Sequence, residues 1–185
     1  LWRGGFQPFG NAGQTMQLAA ELQNVELDYR ANWPAASIER AALRLSDTEI
    51  DIWAPRSRVA ELPLTDTAVG IRIHPDAVAF AMKSENNSSP ADFLSGLQKL
   101  PALDVAGSLM NDLTLTGESG VNADVFLGFD LRDVGNTLDI DFSADVDEIA
   151  VMSQFLDLQA DNVSGPLSYR HGTGFVSAGL TASVW

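Results

Sequence analysis

The chain of 185 residues carries 11 Lys and Arg against 25 Asp and Glu, lacks Cys and is 45% apolar, which fits one globular domain with a real core and excludes a disordered tail or a disulfide-stapled miniprotein. A formal charge of -14 and a pI near 4.2 argue against nucleic acid and acidic membrane surfaces as partners, because both recruit clustered Lys and Arg. No stretch reaches the roughly 18 apolar residues that span a bilayer, and no signal-peptide pattern is present. Leu1 and Trp185 frame the chain without a start Met or a polar tail, so it reads as a piece of something larger.

In chain order, Gly10-Asn11-Ala12-Gly13 reads as a turn. Leu18, Leu22 and Val25 follow, and Val25, Leu27 and Tyr29 alternate with Glu26 and Asp28 as a strand with one face buried. Ser37 to Leu45 is ambiguous: Ile38, Ala41, Ala42 and Leu45 fit a helix face, whereas Leu43 and Leu45 alternate like a strand. The flanking strands favour strand for this segment and for the start at Leu18. Ile50 and Ile52 alternate with Glu49 and Asp51, Val69, Ile71 and Ile73 bracket Gly70 and Arg72, and Val78, Phe80 and Met82 resume the pattern after a turn at Pro75-Asp76.

Glu85 to Ser89 reads as a polar loop. Behind it, Ser88-Ser89-Pro90-Ala91-Asp92 supplies an N-cap, a Pro suited to the first helical position and an early acid. Phe93, Leu94, Leu97 and Leu100 then fall at helical spacing before Pro101, predicting one amphipathic helix over 90–100. Leu113 and Leu115, then Val121 to Leu131, return to alternation around a turn at Gly117 to Gly120. After a turn at Gly135-Asn136, Leu138, Ile140, Phe142, Ala144 and Val146 interleave with Asp139, Asp141, Ser143, Asp145 and Asp147, a run longer than the mean strand of about 5 to 6 residues. Gly165-Pro166 and His171-Gly172-Thr173-Gly174 read as further turns.

Strands joined by such short connections form antiparallel meanders. The expected fold is therefore mainly β: an extended, curved antiparallel sheet of repeated strand units, an open groove or taco-like, with one short α-helix. Two weak copies of one unit divide the single fragment 1–185 into approximate units 1–103 and 104–185. In the first, Ala42-Leu43-Arg44-Leu45 leads through a polar turn to Ile50-Asp51-Ile52; in the second, Pro166-Leu167-Ser168-Tyr169 leads to Phe175-Val176-Ser177.

Chemistry-bearing patterns are scarce. His74 and His171 each sit beside a turn residue and lack the orienting partner and nucleophile that an active base needs. The chain contains no Cys, nucleophile elbow, Walker A or GxGxxG sequence. Asp139, Asp141, Asp145, Asp147 and Glu148 invite a calcium reading, but alternate strand residues lie about 7 Å apart, too far to converge on one ion, so they read as a solvated acidic face. Asn86, Asn87 and Asn162 head Asn-x-Ser sequons that chance also produces. No catalytic residue, metal site or cofactor is expected. What stands out is the amount of one-faced apolar strand compared with the single helix available to cover it. Such a face is buried in a closed barrel, in a sandwich, or against a ligand.

The order of motifs carries a resemblance. Val25-Glu-Leu-Asp-Tyr29, the Asn32-Trp33-Pro34 step and Ala41-Ala-Leu-Arg-Leu45 are followed by Asp104-Val-Ala-Gly107, Val163-Ser-Gly-Pro-Leu-Ser-Tyr169 and Gly174-Phe-Val-Ser-Ala-Gly-Leu-Thr-Ala182. This succession resembles the periplasmic repeat region of the YhdP branch of the AsmA-like proteins, over nearly the whole fragment. The resemblance implies a non-enzymatic segment of a periplasmic, inner-membrane-anchored protein of the Gram-negative envelope. In it a hydrophobic β-groove conducts phospholipid or another acyl-chain lipid between inner and outer membranes, which are reached through parts outside this fragment. The residues expected to line that groove are Val25, Leu27, Tyr29, Leu43, Leu45, Ile50, Ile52, Ile71, Ile73, Val78, Phe80, Leu138, Ile140, Phe142, Val146, Leu167 and Tyr169. The alternative is an envelope β-domain that acts as scaffold or protein-binding module, its apolar face packed internally.

Overall fold

A computed structural model of the chain describes residues 17–28, 33–60, 62–99, 111–170, 174–177 and 179–184. Five long strands come first: β1 (Gln17–Leu27), β2 (Ala36–Ser46), β3 (Glu49–Val59), β4 (Leu62–Ile73) and β5 (Val78–Ser88). The helix α1 (Pro90–Gln98) separates them from β6 (Leu113–Thr116) and β7 (Val121–Asp130). A single turn of helix, α2 (Val134–Thr137), then leads to β8 (Asp139–Ser153), β9 (Leu158–Arg170), β10 (Gly174–Ser177) and β11 (Thr181–Val184). All join one antiparallel sheet in the order β1-β2-β3-β4-β5-β7-β8-β9-β10, with β6 on β8 and β11 on β9. The sheet does not close on itself. No helix among the described residues is long and apolar enough to cross a membrane.

The expected mainly β fold and open sheet are present, α1 is the longest helix among the described residues, where Asn111 and Asp112 are helical too, and both ambiguous segments are strands. Their helix-like spacing has a specific cause. In β1, Asn24 has a φ of 51°; in β2 the register against β3 shifts on both sides of Arg40. A β-bulge inserts one residue and returns the chain to the same face after three residues instead of two, so Leu22 and Val25, or Ile38 and Ala41, share a face at a helical interval. The same device recurs at Asp66 (φ 48°), Glu148 (φ 48°) and Asn162 (φ 55°), between the inward pairs Leu64 and Thr67, Val146 and Ile149, and Ala160 and Val163.

Two expectations need correction. Glu85 to Ser88 is the end of β5, because Glu85, Asn86, Asn87 and Ser88 pair with Asp124, Ala123, Asn122 and Val121 of β7; only Ser89 leaves the ladder, as the N-cap. Gly165-Pro166 is no turn but lies inside β9. There β9 hands over between neighbours, pairing through Ala160 to Ser164 with β11 and through Leu167 to Arg170 with β10, so a residue without an N–H removes no ladder bond. Gly165, at a φ of 130°, would place a Cβ 3.0 Å from the carbonyl oxygen of Gly179. The turn read at Gly10–Gly13 and the first three residues of the one read at His171–Gly174 lie outside the described residues, and Gly174 opens β10.

The helix follows its sequence signals. Ser89 Oγ accepts from the Asp92 N–H at 3.1 Å and donates to the Asp92 carboxylate at 2.8 Å. Phe93, Leu94 and Leu97 share one buried cluster with Val59, Leu62, Leu64, Val121, Ile140, Phe142, Ala144, Val146 and Ile149. Gly96 lies so close to Leu62 that a Cβ would fall 2.1 Å from its Cγ.

Candidate functional site

Cross-strand partners share a face, so the register assembles the apolar side chains into rows running across the sheet. One row is Leu18, Leu45, Ile50, Ile71, Phe80 and Phe129. The next is Ala20, Leu43, Ile52, Val69, Met82, Leu127 and Ile140. Further along the strands, Val125, Phe142 and Tyr169 form a row, and Ala123, Ala144 and Leu167 another. The sheet thus gathers the expected lining residues on one face, from β1 across to β9. Leu138 joins them just ahead of β8, and Tyr29 lies outside the described residues.

That face has three zones. Toward β8, Ile140, Phe142 and Val146 belong to the buried cluster that includes the apolar face of α1: Phe142 is 3% exposed, meets Phe93 edge-on at 5.9 Å and stacks on Tyr169 at 5.5 Å. These three expected lining residues are therefore part of the core and not of an open surface. Toward the turns between β2 and β3 and between β4 and β5, the side chains of Leu43, Leu45, Ile50, Ile52, Val69, Ile71, Ile73, Val78, Phe80 and Met82 are half-buried, and Leu18 is 51% exposed. Val25 is half-buried and Leu27 exposed at the other end of β1.

Between these two zones runs a polar belt that the sequence reading missed. Ser57 Oγ and Thr67 Oγ1 lie 2.8 Å apart, as do Thr67 Oγ1 and Ser84 Oγ. Ser84 Oγ donates to the Thr65 carbonyl at 3.0 Å, and Asn86 Nδ2 to the Pro63 carbonyl at 2.8 Å. Thr67, Ser84 and Asn86 are buried. The cause is the Asp66 bulge, which breaks the ladder between β4 and β5 from Thr65 to Ala68 and leaves carbonyls that side chains must satisfy. The available signal was the period: Ser84, Asn86 and Ser88 continue the alternation of Val78, Phe80 and Met82.

Enclosure comes from a second direction as well. Trp33, ahead of β2, meets Phe129 of β7 edge-on at 6.0 Å, and Phe129 stacks on Phe80 at 4.6 Å. In sheet order β7 is four places from β2, about 19 Å in a flat sheet at 4.8 Å per strand. The contact is therefore made across the apolar face.

The opposite face carries the charges. Asp139, Asp145, Asp147 and Glu148 are exposed, while Asp141 accepts from Arg170 Nε at 3.0 Å. Among the described residues no group of three His, Cys, Asp or Glu is placed to hold a metal ion. His74 is exposed in the turn before β5, and His171 lies outside the described residues. No family model, curated protein or solved structure matches the chain.

Proposed function

We propose that this sheet is a segment of a hydrophobic conduit for phospholipid or another acyl-chain lipid in the periplasm of a Gram-negative envelope. It would belong to an inner-membrane-anchored protein of the AsmA-like kind and carry out no catalysis. The observation that supports this reading is the pair of rows from Leu18 to Phe80 and from Ala20 to Met82: no polar side chain interrupts them, yet none of these residues is fully buried. Contiguous apolar surface of this kind marks binding sites in soluble proteins. An acyl chain entering from water gains about 0.8 kcal/mol per CH₂, but one arriving from a bilayer leaves hydrocarbon for hydrocarbon, so transfer is near thermoneutral and lipid passes without being trapped. The polar belt at Ser57, Thr67 and Ser84 bounds the acyl zone and separates it from the core under α1.

Native mass spectrometry of the purified chain tests the reading. Bound lipid is expected in the wild type, lost in Ile52→Arg and Val69→Arg with melting little changed, since a half-buried Arg can turn its head to water. The absence of lipid from the wild type, or its retention in both variants, supports the scaffold alternative.

A further inference from the structure

On the charged face, away from the apolar rows, the sheet brings three arginines together. Arg40 of β2 and Arg56 of β3 are direct cross-strand partners, and Arg58 stands two residues along β3 on the same face, opposite Ser37. All three are exposed. Like charges directly opposite one another destabilise an antiparallel pair. This one occurs in a chain with a formal charge of -14, where acidic side chains are plentiful.

Elsewhere on the same face some carboxylates are paired. Arg72 pairs with Glu49 at 3.4 Å and Asp51 at 2.8 Å, and Arg170 with Asp141 at 3.0 Å. Around the arginine cluster they are not: Glu39 adjoins Arg40, Asp66 follows the Thr65 that faces Arg56, and Glu26 faces Ser37, yet no described carboxylate comes within ion-pairing range of Arg40, Arg56 or Arg58. The ladder is also irregular at this point, shifting register on both sides of Arg40. Bulges of this kind re-aim side chains and recur beside functional sites.

We infer that Arg40, Arg56 and Arg58 form a binding site for a phosphate group. Guanidinium forks match phosphate oxygens two at a time, and several forks on one rigid sheet surround one anion. Gln23 and Ser37, the β1-side neighbours in register with Arg40 and Arg58, add neutral donors at the rim. The site is independent of the lipid reading, because it occupies the other face of the sheet. Its phosphate belongs either to a soluble phosphorylated molecule or to a lipid headgroup.

Thermal melting of the whole chain in inorganic phosphate, against chloride at equal ionic strength, tests the site, since an anion bound only by the folded state raises Tm. Phosphate should raise the wild-type Tm, and Arg56→Gln and Arg58→Gln should each weaken the apparent affinity at least tenfold, while Arg44→Gln on the same face leaves it unchanged. Without phosphate and at low salt, Arg56→Gln should melt higher than wild type, because it removes the like-charge pair; a merely structural arginine would give the opposite shift. Co-sedimentation with phosphatidylglycerol vesicles but not phosphatidylcholine vesicles, abolished by Arg56→Gln, would assign the phosphate to a headgroup. Sedimentation with neither would assign it to a soluble molecule if phosphate raises Tm. No response to phosphate or vesicles, or equal responses in wild type and both variants, overturns the proposal.

Discussion

Two neighbouring residues of β8 show how sharply the faces differ. Phe142 sits between the rings of Phe93 and Tyr169 at 3% exposure, so Phe142→Arg buries a charge without a partner, at a cost of several kcal/mol. Asp141 faces water in an exposed pair with Arg170, worth about 0 to 1 kcal/mol. Urea titration should find Phe142→Arg unfolded or nearly so and Asp141→Asn within about 1 kcal/mol of wild type. At Asp130, Oδ1 accepts from the Arg132 N–H at 2.9 Å and the Val78 N–H at 3.1 Å, and these bonds hold its carboxyl below the usual range. A lowered folded-state pKa means that the unfolded chain binds the proton more readily. The stabilisation is therefore fully present above the ordinary carboxylate value of about 3.9 and lost as pH falls through the lower folded value. The Tm advantage of wild type over Asp130→Ala should accordingly be constant from pH 7 to 5 and shrink below pH 4. An advantage that held to pH 2 would show that the carboxylate charge is irrelevant.

At the scale of elements, the bulges and the helix decide how the strands present their faces. Asn162 is exposed at a φ of 55°, a conformation that Asn tolerates and a β-branched residue resists by about 1 to 2 kcal/mol. Asn162→Val should destabilise by that amount and Asn162→Gly by little, measured as a shift in urea midpoint with an unchanged slope. The α1 docking is limited by Gly96 against Leu62. Gly96→Ala should cost about 1 to 3 kcal/mol through overpacking, despite the better helix propensity of Ala. Leu62→Ala in the same chain should recover part of that loss; a purely additive double mutant would mean that Gly96 matters for another reason. Both elements were partly legible in the sequence. The cap at Ser89 and the Pro90 start are local chemistry, whereas a bulge erases the period of 2 for one step and imitates a helix at Leu22 and Val25 or Ile38 and Ala41.

Across the whole molecule, charge is distributed unevenly. Up to Lys99, 12 acidic residues meet 9 Lys and Arg, whereas after it 13 acidic residues meet only Arg132 and Arg170. Self-repulsion of such a body opposes the compact state and is screened by salt, with a Debye length near 10 Å at 0.1 M. Raising sodium chloride from 10 to about 300 mM should therefore raise the Tm. Calcium should act only as a further salt, because the exposed carboxylates of β8 stand at strand spacing and do not converge. A calcium-induced rise well beyond that of magnesium at equal ionic strength would identify a site in the acidic face.

Alternation by itself determined the antiparallel strands and the membership of the apolar face, because side-chain direction along a strand is a local property of the backbone. The same alternation determined the acidic opposite face of β8. Which parts of the apolar face stay accessible was decided only by tertiary structure. Ile50 and Phe142 look alike in sequence, each a large apolar residue between acidic or polar neighbours, yet one is half-buried and the other sealed beneath α1. The strand character of Glu85 to Ser88 likewise depends on Asn122 and Asp124 arriving on β7, and the partial burial of Trp33 on its meeting Phe129. Those contacts join residues far apart in the chain, and burial is a property of what a face meets, which no local pattern encodes.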